Sequence, residues 1–235
     1  MTPQPAPSSL RRIAISPIWL CPFLLVGLMA AWPHVLVAQS PEADSAARIG
    51  DLWIYDTKIE VTGLPAEGYT EMVAQISPTE FVINRTFREP VTRWPQSYVV
   101  TYNHDWDLID NFEWKFKASN GLGVRTPLSV GKTWQAEFDA KNLHTTRRTY
   151  RGTSSSKVVS QETATTDAGT FDTFKIEQQA RYLDPLDPAR MWELQVVSWF
   201  APELNHWVRR TSLIKFEKRL RENVTEELSN FIKKS

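Results

Sequence analysis

The sequence predicts an all-β protein: an antiparallel curved sheet or barrel-like sandwich, a single domain behind a cleaved signal peptide. Three observations carry this. Apolar and polar residues alternate with period two along most of residues 51–222. Turn residues recur between these stretches at short, regular intervals. Very few segments carry the 3.6-residue period of a helix, and many short strands without helices imply a sheet, sandwich or barrel.

The first 38 residues stand apart. Arg11-Arg12 precede an apolar run from Ile13 to Ala31, and Leu36-Val37-Ala38 precede Gln39-Ser40-Pro41. A basic start, a short apolar core and a small residue at the end make a secretory signal peptide. Pro22 and Pro33 bound the uninterrupted core, which is shorter than the roughly 20 residues of a membrane span. The mature protein is therefore expected in the periplasm, without a transmembrane span; the alternatives are release outside the cell or anchoring by an uncleaved signal. Removing residues 1–38 leaves 235 − 38 = 197 residues, enough for one domain with a core of its own. The prefix holds two arginines and no acid, so the mature net charge is 25 − 27 = −2, which argues against nucleic acid as a partner. Cys21, the single cysteine, falls in the signal, so the mature chain has neither a disulfide nor a thiol nucleophile.

Residues 39–50 are polar and small, and read as a flexible lead. The β-rich domain is placed at 51–222. Trp53, Tyr55, Thr57, Ile59 and Val61 share one face of a first strand, and Gly63 to Gly68 breaks it. Strands over 70–76 and 80–88 flank Ser77-Pro78-Thr79, a tight hairpin because proline fixes φ. A fourth strand covers 97–103, 104–111 is an acidic loop and 112–118 a short strand. The clearest alternation sets Trp134, Ala136, Phe138 and Ala140 against Gln135, Glu137 and Asp139. Strands at 145–151 and 157–166 pair across Gly152-Thr153-Ser154-Ser155, and the second pairs onward with 171–182 across Asp167-Ala168-Gly169. Residues 191–200 and 206–216 form the last hairpin. From Arg219 to Lys233 a long strand followed by a short helix or frayed tail is expected, because Val224 and Thr225 prefer strands while Leu220, Val224, Leu228 and Phe231 fall at helical spacing; the tail is bounded at 223–235.

Val130-Gly131-Lys132-Thr133-Trp134, Ala168-Gly169-Thr170-Phe171, and Trp199-Phe200-Ala201-Pro202-Glu203 with Val208-Arg209-Arg210 resemble the bacterial exported proteins of domain-of-unknown-function family 3108 and its relatives. The resemblance spans about residues 50–222. It implies a signal-bearing periplasmic protein with a curved or barrel-like sheet, and no catalytic residues. Asp167 departs from it, standing where proline or another apolar residue is expected. Read physically, Gly131 and Gly169 supply positive φ for turns and Pro202 ends a strand.

No arrangement of polar residues carries a recognisable chemistry. His104, His144 and His206 are dispersed without metal-ligand spacing. The cluster Asn103 to Asp110 is rich in oxygen ligands but lacks the glycine and the downstream glutamate of a calcium loop, and reads as a solvated acidic loop. Asp184 and Asp187 each precede a proline, which suits a rigid turn. There is no Gly-x-Ser-x-Gly elbow, P-loop or dinucleotide fingerprint. No catalytic residue, metal or cofactor is expected. Arg147, Arg148, Arg151, Arg209 and Arg210 would form a basic patch for an anionic glycan, lipid headgroup or acidic partner if their strands were neighbours.

Eight of the ten tryptophans remain in the mature chain. Trp134, Phe138, Tyr150, Phe174, Tyr182, Trp192 and Trp199 are the candidate ligand-contacting aromatics. If their faces converge, they either fill an interior or line a pocket for an acyl chain, and the filled interior is the favoured expectation. The function expected is binding or scaffolding in the cell envelope without catalysis, the partner being an envelope protein, a glycan or a lipid. A carrier of an apolar ligand or lipid is the alternative, and a hydrolase with dispersed carboxylates a third.

Overall fold

A computed structural model describes residues 47–92, 94–118, 121–144 and 146–234. Twelve strands follow one another: β1 (Leu52–Ile59), β2 (Pro65–Ile76), β3 (Glu80–Phe87), β4 (Ser97–Asn103), β5 (Leu108–Asp110), β6 (Trp114–Ala118), β7 (Thr133–Asn142), β8 (Thr149–Thr166), β9 (Gly169–Asp184), β10 (Asp187–Ala201), β11 (His206–Phe216) and β12 (Arg219–Ile232). Each pairs antiparallel with its neighbours in sequence, and β1 pairs with β12, which closes the sheet into a barrel. None of the described residues is helical. The all-β, antiparallel, barrel-like reading is thus the observed fold. Closure removes the unpaired edges that an open sheet must otherwise protect.

Alternation explains why these segments sit as they do. On β8, Tyr150, Gly152, Ser154, Ser156 and Val158 face inward, while Arg151, Thr153, Ser155 and Lys157 face solvent. On β9, Ala180 and Tyr182 are buried between exposed Glu177, Gln179 and Arg181. The outer wall here is polar, the reverse of a membrane-spanning barrel, whose lipid-facing band is apolar. Apolar side chains gather in two interior clusters. The larger holds Trp53, Tyr55, Tyr69, Phe81, Tyr102, Trp106, Phe200 and Trp207 among others; the smaller is built on Trp114, Phe138, Tyr150, Ala180 and Tyr182.

Four expectations are corrected. Residues 152–155 are no turn, since β8 runs unbroken through them. A Cβ on Gly152 would stand 2.5 Å from Phe138 Cζ and 2.7 Å from Tyr182 Cβ, so this glycine makes room for two rings rather than for a reversal. The strand expected from Arg219 runs on to Ile232 as β12 with no helix after it: β11 holds one edge and β1 the other, and two ladders outweigh the helix preference of Glu226, Glu227 and Leu228. The described end of the lead is packed, with Ala47 buried and the Arg48 N–H donating to the Asp51 carboxylate at 2.9 Å. Within the acidic loop, Leu108–Asp110 forms the short β5. The signal peptide at 1–38 and the lead as far as residue 46 lie outside the described residues.

The turn glycines take the backbone expected of them: φ is +139° at Gly169 and +88° at Gly131.

Candidate functional site: the barrel lumen

All twelve strands contribute to the wall of one interior cavity of about 490 Å³. Tyr69, Val100, Tyr102, Trp106, Ile176, Phe200 and Trp207 reach it from the larger cluster; Trp114, Phe138, Ala180 and Tyr182 reach it from the smaller. The interior is therefore unfilled, contrary to expectation. Small inward residues leave the space: Ser156, Ala180, Ser198 and Ser212 stand where a large side chain would close it. Rings buttress one another at both ends of the wall. Trp106 lies edge-on to Trp207 at 5.6 Å, and Trp114 is edge-on to Trp192 at 5.6 Å and to Tyr182 at 5.7 Å.

Of the seven candidate aromatics, Phe138, Tyr182 and Trp192 line the cavity. Tyr150 is fully buried behind them, 5.6 Å from Trp114. Trp134 and Phe174 pack against the larger cluster without reaching the space. Trp199 belongs to the outer face, where its Nε1 donates to Glu162 at 2.7 Å and Lys175 and Arg209 lie over its ring.

The five arginines do not form one patch. Arg209 aligns through Trp199 and Lys175 with Ser160 on β8, which is 160 − 151 = 9 positions from Arg151, or about 30 Å at 3.3 Å per residue. Arg148 holds Asp184 at 2.5 Å, Arg151 faces Asp139 at 3.7 Å, and Arg209 holds Glu227 at 2.5 Å. Arg147 is exposed at a turn with φ +53°. Arg210 points the other way, into the lumen. Its guanidinium lies 4.9 Å from the Trp207 ring centre.

A buried polar network, absent from the sequence reading, borders the larger cluster. Glu71 has no exposure and pairs with Arg85, whose Nε donates to Oε1 at 2.9 Å. Arg85 also stacks over Tyr69 at 4.6 Å and reaches the Tyr98 hydroxyl at 3.4 Å. Across from it, the Tyr55 hydroxyl donates to the Trp207 carbonyl at 2.7 Å and stands 2.7 Å from His206 Nδ1. With its one hydrogen given to that carbonyl, the Tyr55 oxygen accepts from His206, so the neutral ring carries its proton on Nδ1. His206 stacks on Trp53 at 4.3 Å with no exposure. Burial lowers its pKa to about 3, with Arg210 and Arg85 adding to the effect. The Glu71 carboxylate is 3.5 Å from Nε2, too far for a sound hydrogen bond, and Arg85 already holds it. Burial likewise holds the Tyr55 and Tyr69 hydroxyls well above their ordinary range.

The signal for this pair was present in the alternation. Glu71 shares a face with Tyr69 and Val73, Arg85 shares one with Ile83 and Phe87, and the hairpin registers the two charges as partners.

The acidic loop is internally tied. Asp107 accepts from the Gly123 N–H at 2.5 Å and from Arg125 at 2.9 Å, Asp105 holds Arg125 at 2.5 Å, and Asn103 Nδ2 donates to Asp107 at 2.9 Å. Among the described residues, no group of three or more His, Cys, Asp or Glu is set to hold a metal ion.

No family model and no curated protein matches the chain. Solved structures do share its fold. A Bacteroides fragilis NCTC 9343 protein described as exported and of YmcC-like fold is 16% identical with a TM-score of 0.50, over 80% of this chain and 97% of that one. A Parabacteroides distasonis ATCC 8503 protein described as a lipoprotein is 12% identical with a TM-score of 0.52, over 79% and 96%. The hypothetical lipoprotein YmcC of Escherichia coli K12 is 8% identical with a TM-score of 0.47, over 77% and 84%.

Proposed function

We propose that the protein is an exported, non-catalytic binding protein of the cell envelope that carries an apolar or amphiphilic molecule inside its barrel. The observation that carries the reading is the unfilled aromatic lumen of about 490 Å³, a size and lining suited to a small ligand. Native interiors are otherwise close-packed, so a void this large that persists between two aromatic clusters is a binding space before it is a packing fault. Export is supported by the basic and apolar leader and by two proteins of like fold, one described as exported and one as a lipoprotein. The periplasm is the compartment we assign. A catalytic role is disfavoured because, among the described residues, the one histidine–carboxylate neighbour pair, His206 and Glu71, has no exposure through which a substrate would reach it.

Titration with N-phenylnaphthylamine, a neutral apolar fluorophore, while following tryptophan emission tests the assignment. Saturable binding is expected, and Ala180→Phe, which places a ring in the lumen, should abolish it with the fold intact. Absence of saturable binding, or binding undiminished in a folded Ala180→Phe variant, would refute a lumenal carrier.

A further inference from the structure

Besides Glu67, Arg85, Glu113, Arg221 and Glu222, two charges of opposite sign face each other across the lumenal wall. Arg210 on β11 and Glu226 on β12 are register partners, and both line the cavity. Residues directly opposite in an antiparallel pair have Cβ atoms about 5 Å apart, so these two are within easy reach of each other. They do not pair. Neither makes a hydrogen bond or an ion pair with any described residue. Arg210 leans onto the Trp207 ring instead, and its Nε is buried without an acceptor. Glu226 acts on Tyr69, a buried residue whose hydroxyl also lacks a partner. The nearby Arg85 is already neutralised by Glu71, so it competes for neither charge. A charge that borders an apolar space without a counter-charge is costly, and two of opposite sign at one level are compensated together by a ligand that brings both.

We infer that the lumenal ligand is a zwitterionic amphiphile, its anionic group held by Arg210, its cationic amine by Glu226, and its apolar tail laid along the aromatic wall. This deepens the carrier reading and rests on it. The walls divide accordingly. Arg210 offers donors to a phosphate or carboxylate, and the buried Trp207 Nε1 is a further donor without a partner, whereas Glu226 offers only acceptors to an ammonium. A purely anionic amphiphile would satisfy Arg210 and leave Glu226 facing like charge. A neutral one would leave both groups unpaired. The shared chemistry is an ammonium and an anion on one head, as in a phosphoethanolamine lipid.

The test is displacement of N-phenylnaphthylamine from the full chain by three single-chain amphiphiles of equal acyl length: lysophosphatidylethanolamine, lysophosphatidic acid and monoacylglycerol. An N-acyl-free dodecyl ester of glycine, with an ammonium and no anion, is the fourth arm and separates the two charges. The zwitterion should bind about tenfold or more tighter than the others, the factor expected of one well-paired desolvated charge. Arg210→Met and Glu226→Gln should each erase that preference while the fluorophore still binds. Arg210→Lys, which keeps the charge, should retain most of it and serves if Arg210→Met does not fold. Equal displacement by all four arms, or a preference for the anion alone, would overturn the inference while leaving the carrier intact. So would a zwitterion preference unchanged in folded Arg210→Met, or a destabilised pair of single variants restored by the double variant, which would show Arg210 and Glu226 pairing with each other. Failure of the fluorophore itself to bind would remove the carrier reading and this inference together.

Discussion

Replacing Arg85 with methionine probes the most heavily buried charge in the barrel. Glu71 has no exposure, and among the described residues Arg85, whose side chain is 17% exposed, is the only permanent cation on its carboxylate. The variant keeps most of the aliphatic volume and strands the carboxylate among Tyr69, Val73 and His206. Breaking a buried pair from one side typically costs about 3–5 kcal/mol, because the remaining charge keeps its desolvation penalty and loses its compensation. The guanidinium's place over the Tyr69 ring at 4.6 Å adds to the loss. For a domain of this size, at about 2–4 °C per kcal/mol, the melting temperature should fall by roughly 6–20 °C. Urea denaturation is the assay, with the slope against urea unchanged if the compact states are the same. The informative control is Arg85→Met with Glu71→Met: with both charges gone, stability should return to within about 1 kcal/mol of the parent or exceed it. A single variant within about 1 kcal/mol of the parent would show that Glu71 is not held as a charge, and would refute the ion-pair reasoning.

Other outcomes follow from the same structure. Gly152→Ala should destabilise by about 1–3 kcal/mol, because its Cβ meets Phe138 at 2.5 Å and Tyr182 at 2.7 Å; thermal melts at parent level would mean the rings yield freely. Gly169→Ala should lose about 1 kcal/mol or more through its φ of +139° alone, since the nearest ring atom is an ordinary 3.6 Å away, and an unchanged melting temperature would show that the turn relaxes. His206, with a folded pKa of about 3, contributes stability that is full above its unfolded value near 6.5 and is lost as pH falls. Between pH 6.5 and 5 the parent should lose about 1.5 kcal/mol more than His206→Asn. Equal slopes, or a parent that gains stability on acidification, would mean that Glu71 draws the proton onto the ring.

Local alternation made most strands legible, because burial of one sheet face imposes a period of two on the sequence. The Ser77-Pro78-Thr79 and Asp167-Ala168-Gly169 turns were legible for the same reason: their residues have few other backbone uses. What failed was information held elsewhere in the chain. Gly152 and the serines after it resemble a turn until Phe138 and Tyr182 are placed opposite them. The helical spacing of Leu220, Val224 and Leu228 was outweighed by ladders to strands distant in sequence. Arg209 and Arg210 looked like one basic feature, yet adjacent residues on a strand face opposite sides, so one joins Glu227 outside and the other enters the lumen. The cavity itself depends on which small residues coincide at one level of twelve strands, a property of register that no single segment carries.

The pairing of β1 with β12 also sets an order of events. Ser229 on β12 donates to the Ile54 carbonyl across 175 positions of chain, and the seam runs from Leu52↔Ile232 to Ile59↔Val224. Contacts this distant in sequence are slow to form, because the loop entropy comes before the reward. Until residues 219–232 arrive, β1 offers a bare row of amide and carbonyl groups beside an uncovered aromatic interior, a combination that invites pairing with other chains. Folding of this protein is therefore a race between its own last strand and its neighbours, run where the chain emerges and decided at the seam.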